Sequence, residues 1–165
     1  IHFLRGTDIA SYRFAPIDLN DWIQERIGNW QGAADGRVEL IGTPAAVTVN
    51  ADGVALSRLL DNLVSNALHH GIPPVHVTLA MQEGWAVLTV SDHGSGIAPE
   101  LRDNALKPFV RLDEARTRTG NVGLGLALVD AIARAHAGSL TLGQGPEGGL
   151  QVQVLLPVYV PAMQA

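Results

Sequence analysis

Two long helical segments, each followed by two short strands, place the strongest constraint on the fold of this chain. Apolar side chains recur at helical spacing over residues 53–70 and 123–136, with Asp52 suited to cap the first helix and Gly138 to stop the second. Alternating residues predict the strands 12–18, 37–41, 46–49, 75–80, 85–91, 139–143 and 150–156. We therefore predict an α/β fold, a two-layer sandwich of a mixed, mostly antiparallel sheet with helices packed on one face.

The other predicted elements are a helix over 19–30, a short helix over 99–106 and a loop over 111–122. The regular strand–helix–strand alternation of a doubly wound sheet is missing. The glycine-rich segment 120–125 follows a loop instead of a strand, which argues against a dinucleotide-binding fold. The expected organisation is a linker remnant and edge strand at 1–17, one domain over 18–157 and a C-terminal tail at 158–165.

Composition excludes several classes of protein. A chain of 165 residues with 47% hydrophobic residues is long and apolar enough for one domain with a core. The net charge of -5 argues against a nucleic-acid partner. No apolar run approaches the roughly 18 residues of a membrane span, and no signal segment is recognisable, so we expect no direct membrane contact. The absence of cysteine excludes disulfides and thiolate metal sites.

The first long helix places two amides and an imidazole on one face. Asn62, Asn66 and His69 are separated by helical spacing and lie roughly 140° from the apolar stripe. An Asn oxygen is a hard neutral ligand that suits Mg²⁺ shared with phosphate oxygens. The alternative is that these residues form only the solvated face of an amphipathic helix. The adjacent His69 and His70 lack a third ligand at zinc spacing, and an interaction with the helix C-terminus also accounts for them.

A carboxylate follows the strand at 85–91 directly. Asp92 is able to accept a hydrogen bond from an exocyclic amine such as that of adenine. Gly94 and Gly96 let a flat ring approach the backbone, and Ile97 is placed to pack on that ring. An ordinary Asp/Gly turn is the alternative.

The second glycine-rich segment, Gly120-Asn-Val-Gly-Leu-Gly125, opens into the second long helix. Backbone N–H groups at a helix start, together with the helix dipole, favour phosphate. Arg116 and Arg118 precede the segment and are able to reach the same phosphates. No Gly-Lys-Ser/Thr follows, so this is not a Walker-type loop. Phe109 is expected either at the base of a lid or in the core.

These four segments, in this order, resemble the N, G1, F and G2 boxes of the sensor histidine kinases of two-component systems, within the GHKL superfamily. The matching segments are LDNLVSNALHHG at 60–71, DHGSGI at 92–97, KPFVRLDEAR at 107–116 and GNVGLGLALV at 120–129. Over 108–157 the similarity is greatest to the EnvZ-like kinases. The resemblance implies a GHKL fold with a flexible ATP lid at about 110–122, and ATP and Mg²⁺ as cofactors.

The resemblance also implies roles for single residues. Asn66 would ligate Mg²⁺ with help from Asn62, and Arg116 would touch the terminal phosphate, so these three are the expected catalytic residues. The expected ATP-binding residues are Asn62, Asn66, His69, His70, Asp92, Gly94, Gly96, Ile97, Phe109, Arg116, Gly120, Val122, Gly123, Leu124 and Gly125. Relatives often have Lys or Arg, then Tyr or His, at the positions of His69 and His70.

None of the six histidines lies in the His-Glu/Asp motif of the family's phosphoacceptor. The resemblance therefore implies an isolated catalytic and ATP-binding domain. Its expected partners are the parent kinase's dimerisation and histidine phosphotransfer domain and a response regulator. Its expected location is cytoplasmic, with the parent protein in the bacterial inner membrane.

Asn62 distinguishes a kinase from an ATPase within the superfamily. Its hydrolytic ATPases and its serine kinases have Glu at that position, where the carboxylate acts as a general base. An amide cannot accept a proton at useful pH, so we expect phosphoryl transfer to a histidine on another domain. Two alternatives stay open, a degenerate nucleotide-sensing interaction module and a hydrolytic GHKL ATPase.

Overall fold

The computed structural model describes residues 11–33, 37–94, 100, 122–146 and 148–160. Its strands are β1 (Ala15–Asp18), β2 (Val38–Leu40), β3 (Thr48–Ala51), β4 (Val75–Gln82), β5 (Trp85–Ser91), β6 (Ser139–Gln144) and β7 (Leu150–Pro157). Its helices are α1 (Leu19–Ala33), α2 (Gly53–His70) and α3 (Val122–Ala135). All seven predicted strands are therefore present. The predicted helix over 99–106 and the predicted loop over 111–122 lie almost entirely outside the described residues.

Five of the strands form one sheet in the order β2-β4-β5-β7-β6. The pair β2 and β4 is parallel, and the other neighbours are antiparallel. Parallel neighbours require a long connection, and β3 and α2 form that connection between β2 and β4. Strands β1 and β3 form a separate antiparallel pair. These pairings confirm the predicted mixed, mostly antiparallel sheet.

The two faces of the large sheet differ in polarity. On one face Val77, Val90 and Val152 are cross-strand neighbours and are buried. On the opposite face Thr78 and Thr89 pair in the same way and are only half-buried. The helices pack on the apolar face through Leu19, Ile23, Ile27, Leu56, Leu59, Leu60, Leu63, Val64, Leu126, Val129 and Ile132. This arrangement confirms helices on one face, held by hydrophobic burial of about 1.5–3 kcal/mol for each large side chain.

Helix α2 begins at the predicted cap. The Asp52 carboxylate accepts hydrogen bonds from the N–H of Ala55 at 2.8 Å and from the N–H of Arg13 at 2.7 Å. Burial alone would raise the pKa of Asp52, but these hydrogen bonds and the nearby His136 outweigh it and lower the pKa below its ordinary value. Asp52 therefore contributes to stability in its ionised form.

The end of α3 differs from the prediction. Ala137, and not Gly138, has the left-handed backbone conformation, with φ of 64°. The N–H of Gly138 bonds Ala133 O at 2.8 Å and the N–H of Ala137 bonds Arg134 O at 3.0 Å, which is a Schellman motif. Gly138 is required for another reason, since a Cβ there would overlap the carbonyl oxygen of Leu155. The predicted stop was therefore correct in place but wrong in cause.

Helix α1 continues to Ala33, three residues beyond its predicted end at Trp30. The indole N–H of Trp30 donates to Asp61 of α2 at 3.0 Å, which anchors the last turns of α1. Tertiary contact thus outweighs the low helix propensity of Gly32. Among the helices that the structure describes, none is both long and apolar enough to cross a membrane.

Candidate functional site

The ends of α2, α3 and β5 meet on one side of the molecule. His136, just after α3, contacts Asp52 at the start of α2, and the two helices pack together, so they run antiparallel. The 14 residues of α3 rise about 21 Å, which brings its first turn back to about the level of Asn66 on α2. Gly71, just after α2, packs against the carboxyl group of Asp92. Three of the four sequence segments therefore converge.

The two amides of α2 have different surroundings. Asn62 is half-buried, and its Nδ2 donates to the carbonyl oxygen of Arg58 at 3.0 Å, one turn earlier. Its Oδ1 is thus left as an acceptor. The Nδ2 of Asn66 is buried and has no hydrogen-bond partner within the described part of the chain. Since a buried amide rarely lacks partners, Asn66 has the features of a residue that completes its bonding with a ligand.

His69 is exposed, and its ring turns back to its own helix. Nδ1 lies 2.9 Å from the carbonyl oxygen of Ser65 and 3.2 Å from its hydroxyl. A carbonyl only accepts, so Nδ1 carries the proton in this arrangement. The side chain of His70 lies outside the described residues. A phosphate contact by either histidine stays a prediction.

Asp92 is a buried carboxylate at the end of β5, with 6% of its surface exposed. Its Oδ1 accepts hydrogen bonds from the N–H of Gly94 at 2.7 Å and, more weakly, from the N–H of Leu150 at 3.4 Å. Burial raises the pKa of Asp92, and the two backbone hydrogen bonds and His93 offset this only in part. The second carboxylate oxygen, Oδ2, accepts no hydrogen bond from the described residues, and so is available to a ligand.

Two further glycines contact Asp92, and neither was predicted from the sequence as a site residue. Gly71 follows α2 and Gly149 precedes β7, and each lies directly against the aspartate. In sequence, Gly71 has only the appearance of a residue that ends a helix, and Gly149 that of a hairpin residue. Their shared contact depends on the pairing of β5 with β7, which spacing along the chain does not reveal.

The second glycine-rich segment contributes the start of α3. Val122, Gly123, Leu124 and Gly125 form its first turn. The first N–H groups of a helix have no acceptor within the helix, and they favour an anion. The side chains of these four residues are not described. The remaining predicted site residues lie outside the described ranges: Gly96, Ile97, Phe109, Arg116 and Gly120.

Comparison with known proteins identifies the family. Residues 51–160 match the family described as histidine kinase-, DNA gyrase B- and HSP90-like ATPase. The chain belongs to this family. The match includes Asn62, Asn66, Asp92 and the first turn of α3, so the converging segments lie in its ATP-binding domain.

The similar proteins within this family are sensor kinases. The chain is 40% identical to the sensor histidine kinase CpxA of Escherichia coli K12 over 64% of its length and 23% of that protein. It is 36% identical to the sensor protein CutS of Streptomyces coelicolor over 87% of its length and 36% of that protein. The chain thus spans about a quarter to a third of these relatives.

A solved structure covers the same region. The histidine kinase domain of the E. coli osmosensor EnvZ is 36% identical, with a TM-score of 0.67, and 91% of this chain aligns with 92% of that domain. The chain is therefore an ATP-binding domain of the sensor histidine kinase type. The similarity to EnvZ-like kinases expected from the sequence is confirmed.

Proposed function

We propose that this domain binds Mg-ATP where α2, α3 and β5 meet, and transfers the γ-phosphoryl group to a histidine on a separate dimerisation domain. The observation that carries this proposal is the geometry of Asp92. Its carboxylate is buried, held by backbone N–H groups, and has one oxygen left to accept. An adenine amine is a donor of the required kind, and the start of α3 supplies phosphate-binding N–H groups on the same side.

The residues of α2 fit a magnesium ion that is shared with phosphates. The described part of the chain has no cluster of three His, Cys, Asp or Glu able to hold a metal alone. Within the described residues the Nδ2 of Asn66 has no hydrogen-bond partner and is suited to donate to a phosphate oxygen, while the amide oxygens of Asn66 and Asn62, one turn apart, are the candidate ligands of the ion. Mg²⁺ bound mainly by phosphates and water needs only one or two such oxygens. When bound, the ion would neutralise charge on the phosphates, while Asn66 and Asn62 orient them.

Transfer is favoured over hydrolysis because α2 offers no free base beside Asn62. The nearest carboxylate in sequence, Asp61, accepts hydrogen bonds from Arg26 at 2.7 Å and from Trp30 at 3.0 Å. It is therefore directed to α1. Asn62 cannot take a proton from water. With no free base beside Asn62 on α2, the domain would act by positioning the nucleotide, and a histidine nitrogen needs no deprotonation to attack.

The same proposal extends to the parent protein. Its partners would be a dimerisation and histidine phosphotransfer domain and a response regulator, with this domain on the cytoplasmic side of a bacterial inner-membrane protein. Arg116, Phe109, Gly96, Ile97, Gly120 and His70 are proposed nucleotide contacts on the family resemblance. His69 is proposed as a weaker contact, since its Nδ1 is engaged with Ser65.

The proposal is tested by calorimetric titration of a non-hydrolysable ATP analogue with and without Mg²⁺. We expect magnesium-dependent binding that Asn66→Ala and Asp92→Asn each weaken by about tenfold or more. Asn50→Ala is the matched control, because Asn50 is an exposed amide on β3. Absence of binding by the unaltered chain in both conditions would refute the proposal and favour an interaction module without a nucleotide.

A further inference from the structure

Three glycines from three separate parts of the chain surround the Asp92 carboxyl group. Gly71 follows α2, Gly94 follows β5, and Gly149 ends the hairpin loop before β7. The first two also touch each other, because a Cβ on Gly94 would lie 3.2 Å from the Cα of Gly71. We call these three residues the glycine cradle. It joins the helix that carries the amides to the strand that carries the carboxylate.

The cradle leaves no space for a side chain at two of its positions. A Cβ on Gly71 would lie under 3.0 Å from both Cγ and Oδ2 of Asp92. A Cβ on Gly149 would overlap the backbone carbonyl oxygen of Asp92 and would lie 2.5 Å from its Oδ1. At Gly94 the closest contact is 3.2 Å, to Oδ1, which a small shift accommodates. A side chain at 71 would therefore displace the carboxyl group of Asp92, and one at 149 would displace the backbone carbonyl of Asp92 together with its Oδ1.

The two carboxylate oxygens have different roles in this arrangement. Oδ1 is held by the N–H groups of Gly94 and Leu150 and lies beside Gly149. Oδ2 lies against Gly71 and receives no hydrogen bond from the described residues. The hydrogen bonds to Oδ1 thus fix the orientation of the side chain, and this orientation also fixes the direction in which Oδ2 accepts a hydrogen bond. A hydrogen bond weakens steeply when its angle falls below about 120°, so this aim decides which donor binds.

We propose that Gly71 and Gly149 are positioning residues that give the nucleotide site its preference for a 6-amino purine. Gly71 provides the space that Oδ2 occupies, and Gly149 provides the space beside Oδ1 and the backbone oxygen of Asp92. This inference rests on the proposed function, since it requires that Asp92 accept a hydrogen bond from the base amine. It adds that the β6–β7 hairpin loop, although far from Asp92 in sequence, determines base recognition.

The hairpin loop is built to hold that position. The N–H of Gly145 bonds the carbonyl oxygen of Gly149 at 2.7 Å, and the N–H of Gly148 bonds Gly145 at 3.1 Å. The N–H of Asp92 bonds the carbonyl oxygen of Leu150 at 3.1 Å. The loop therefore closes on itself and is attached to the backbone of Asp92 by the next residue. Because Asp92 is held through both its backbone and its Oδ1, its side chain has little freedom to move toward a base amine that lies out of position.

The test compares two nucleotides that differ only in the amine. Binding of ATP and of purine riboside 5′-triphosphate, which has hydrogen in place of the amine, is titrated to the full chain with Mg²⁺ under conditions that prevent turnover. Loss of one hydrogen bond to a charged acceptor corresponds to about 10- to 100-fold, so the unaltered chain should prefer ATP by that factor. Gly71→Ala and Gly149→Ala should each reduce the preference to about threefold or less, mainly by weakening ATP.

Two controls separate positioning from general damage. Gly28→Ala and Gly143→Ala add the same methyl group where no atom lies within 4 Å, and both should keep the preference of the unaltered chain. A cradle variant that weakens both nucleotides equally, with the preference unchanged, would overturn the inference. If Gly71→Ala and Gly149→Ala do not fold, Gly94→Ala decides. Its Cβ would lie 3.2 Å from Oδ1, closer than an ordinary contact but without overlap, so this variant should give an intermediate preference. An unaltered chain that binds neither nucleotide would refute the proposed function itself, whereas binding with an unchanged preference in the variants refutes only this inference.

Discussion

The Nε2 atom of His136 accepts a hydrogen bond from the backbone N–H of Asp52 at 3.1 Å. This contact joins the C-terminal end of α3 to the N-cap of α2, the two helices whose other ends form the candidate site. The Nδ1 of His136 lies 2.8 Å from the carbonyl oxygen of Ile132, to which it donates in this arrangement. Because this contact holds the C-terminal end of α3 at the N-terminal end of α2, the two helices run antiparallel. The first turn of α3 therefore lies at about the level of Asn66.

We expect His136→Ala to destabilise the fold by about 2–4 kcal/mol. The change removes two hydrogen bonds of a buried side chain and its ring contacts with Tyr12 and Phe14, whose centroids lie 5.5 and 5.2 Å away. Urea unfolding measures the difference. Arg134→Ala is the control, because that exposed side chain contacts Asp130 alone among the described residues, in an i,i+4 ion pair worth roughly 0.3–0.5 kcal/mol. Similar losses in the two variants would contradict the buried role of His136.

Asp52→Ala should lower stability at neutral pH by about 1–2 kcal/mol through loss of the N-cap. The pKa of Asp52 is lowered in the folded state, so its stabilisation is fully present above the unfolded value of about 3.8. It is lost as the pH falls through the folded pKa. The free energies of unfolding of the unaltered chain and of Asp52→Ala should therefore begin to converge as the pH falls below about 3.8, as measured by denaturant titrations at several pH values. A constant difference down to pH 2 would show that the ionised carboxylate is not the stabilising form.

Asp92→Asn should stabilise the domain without nucleotide while weakening nucleotide binding. Burial raises the pKa of Asp92, so its ionised form costs stability above the unfolded pKa, and this cost disappears as the pH falls below it. Asn keeps an oxygen for the N–H of Gly94 but places an amide nitrogen where Oδ2 was. We expect a gain of roughly 0.5–1 kcal/mol at pH 7, typical of functional residues that oppose stability. Thermal unfolding with and without an ATP analogue checks both effects, and a loss of stability without nucleotide would contradict the argument.

The local elements of this fold were predictable from the sequence because their signals are local. The Asp52 cap, the apolar stripe through Leu60 and the Glu83-Gly84 turn each depend on residues within a few positions of one another. Glu83 and Gly84 have φ of 51° and 85°, as a tight two-residue hairpin requires. The cap and the apolar stripe were predicted at the places where the structure shows them.

The surroundings of Asp92 were not predictable in the same way. Gly71 and Gly149 are separated from Asp92 by 21 and 57 positions and meet it only after α2, β5 and β7 have packed. The presence of glycine at a helix end or in a hairpin is usually explained by local backbone conformation. The sequence therefore gives no sign that these glycines are also needed to make space for Asp92. The end of α1 was missed for a similar reason, since Trp30 is held by Asp61 on another helix. Sequence spacing thus identified Asp92 but not the residues that position it.

The apolar stripe of α2 should be the most sensitive part of the core. Leu60 is fully buried between the helices and the sheet, and its truncation to Ala should cost about 2–5 kcal/mol. Val54, on the same helix, is 74% exposed, and Val54→Ala should change stability by less than about 0.5 kcal/mol. Guanidinium unfolding of the two variants distinguishes them. Equal costs would show that α2 is packed with a different face on the sheet.

Asn62→Glu should convert part of the bound ATP to free phosphate. The side chain at 62 is half-buried on α2, one turn from Asn66, so a carboxylate there would lie beside the candidate site. A free carboxylate near the terminal phosphate can accept a proton from water, and general-base catalysis contributes about 10²–10⁴-fold. We therefore expect steady-state phosphate release to rise by at least about tenfold over the unaltered chain. Asn62→Gln, which has the same length but no basic oxygen, is the control and should stay at the basal rate. Equal release by Asn62→Glu and Asn62→Gln would show that the identity of residue 62 does not separate phosphoryl transfer from hydrolysis in this domain.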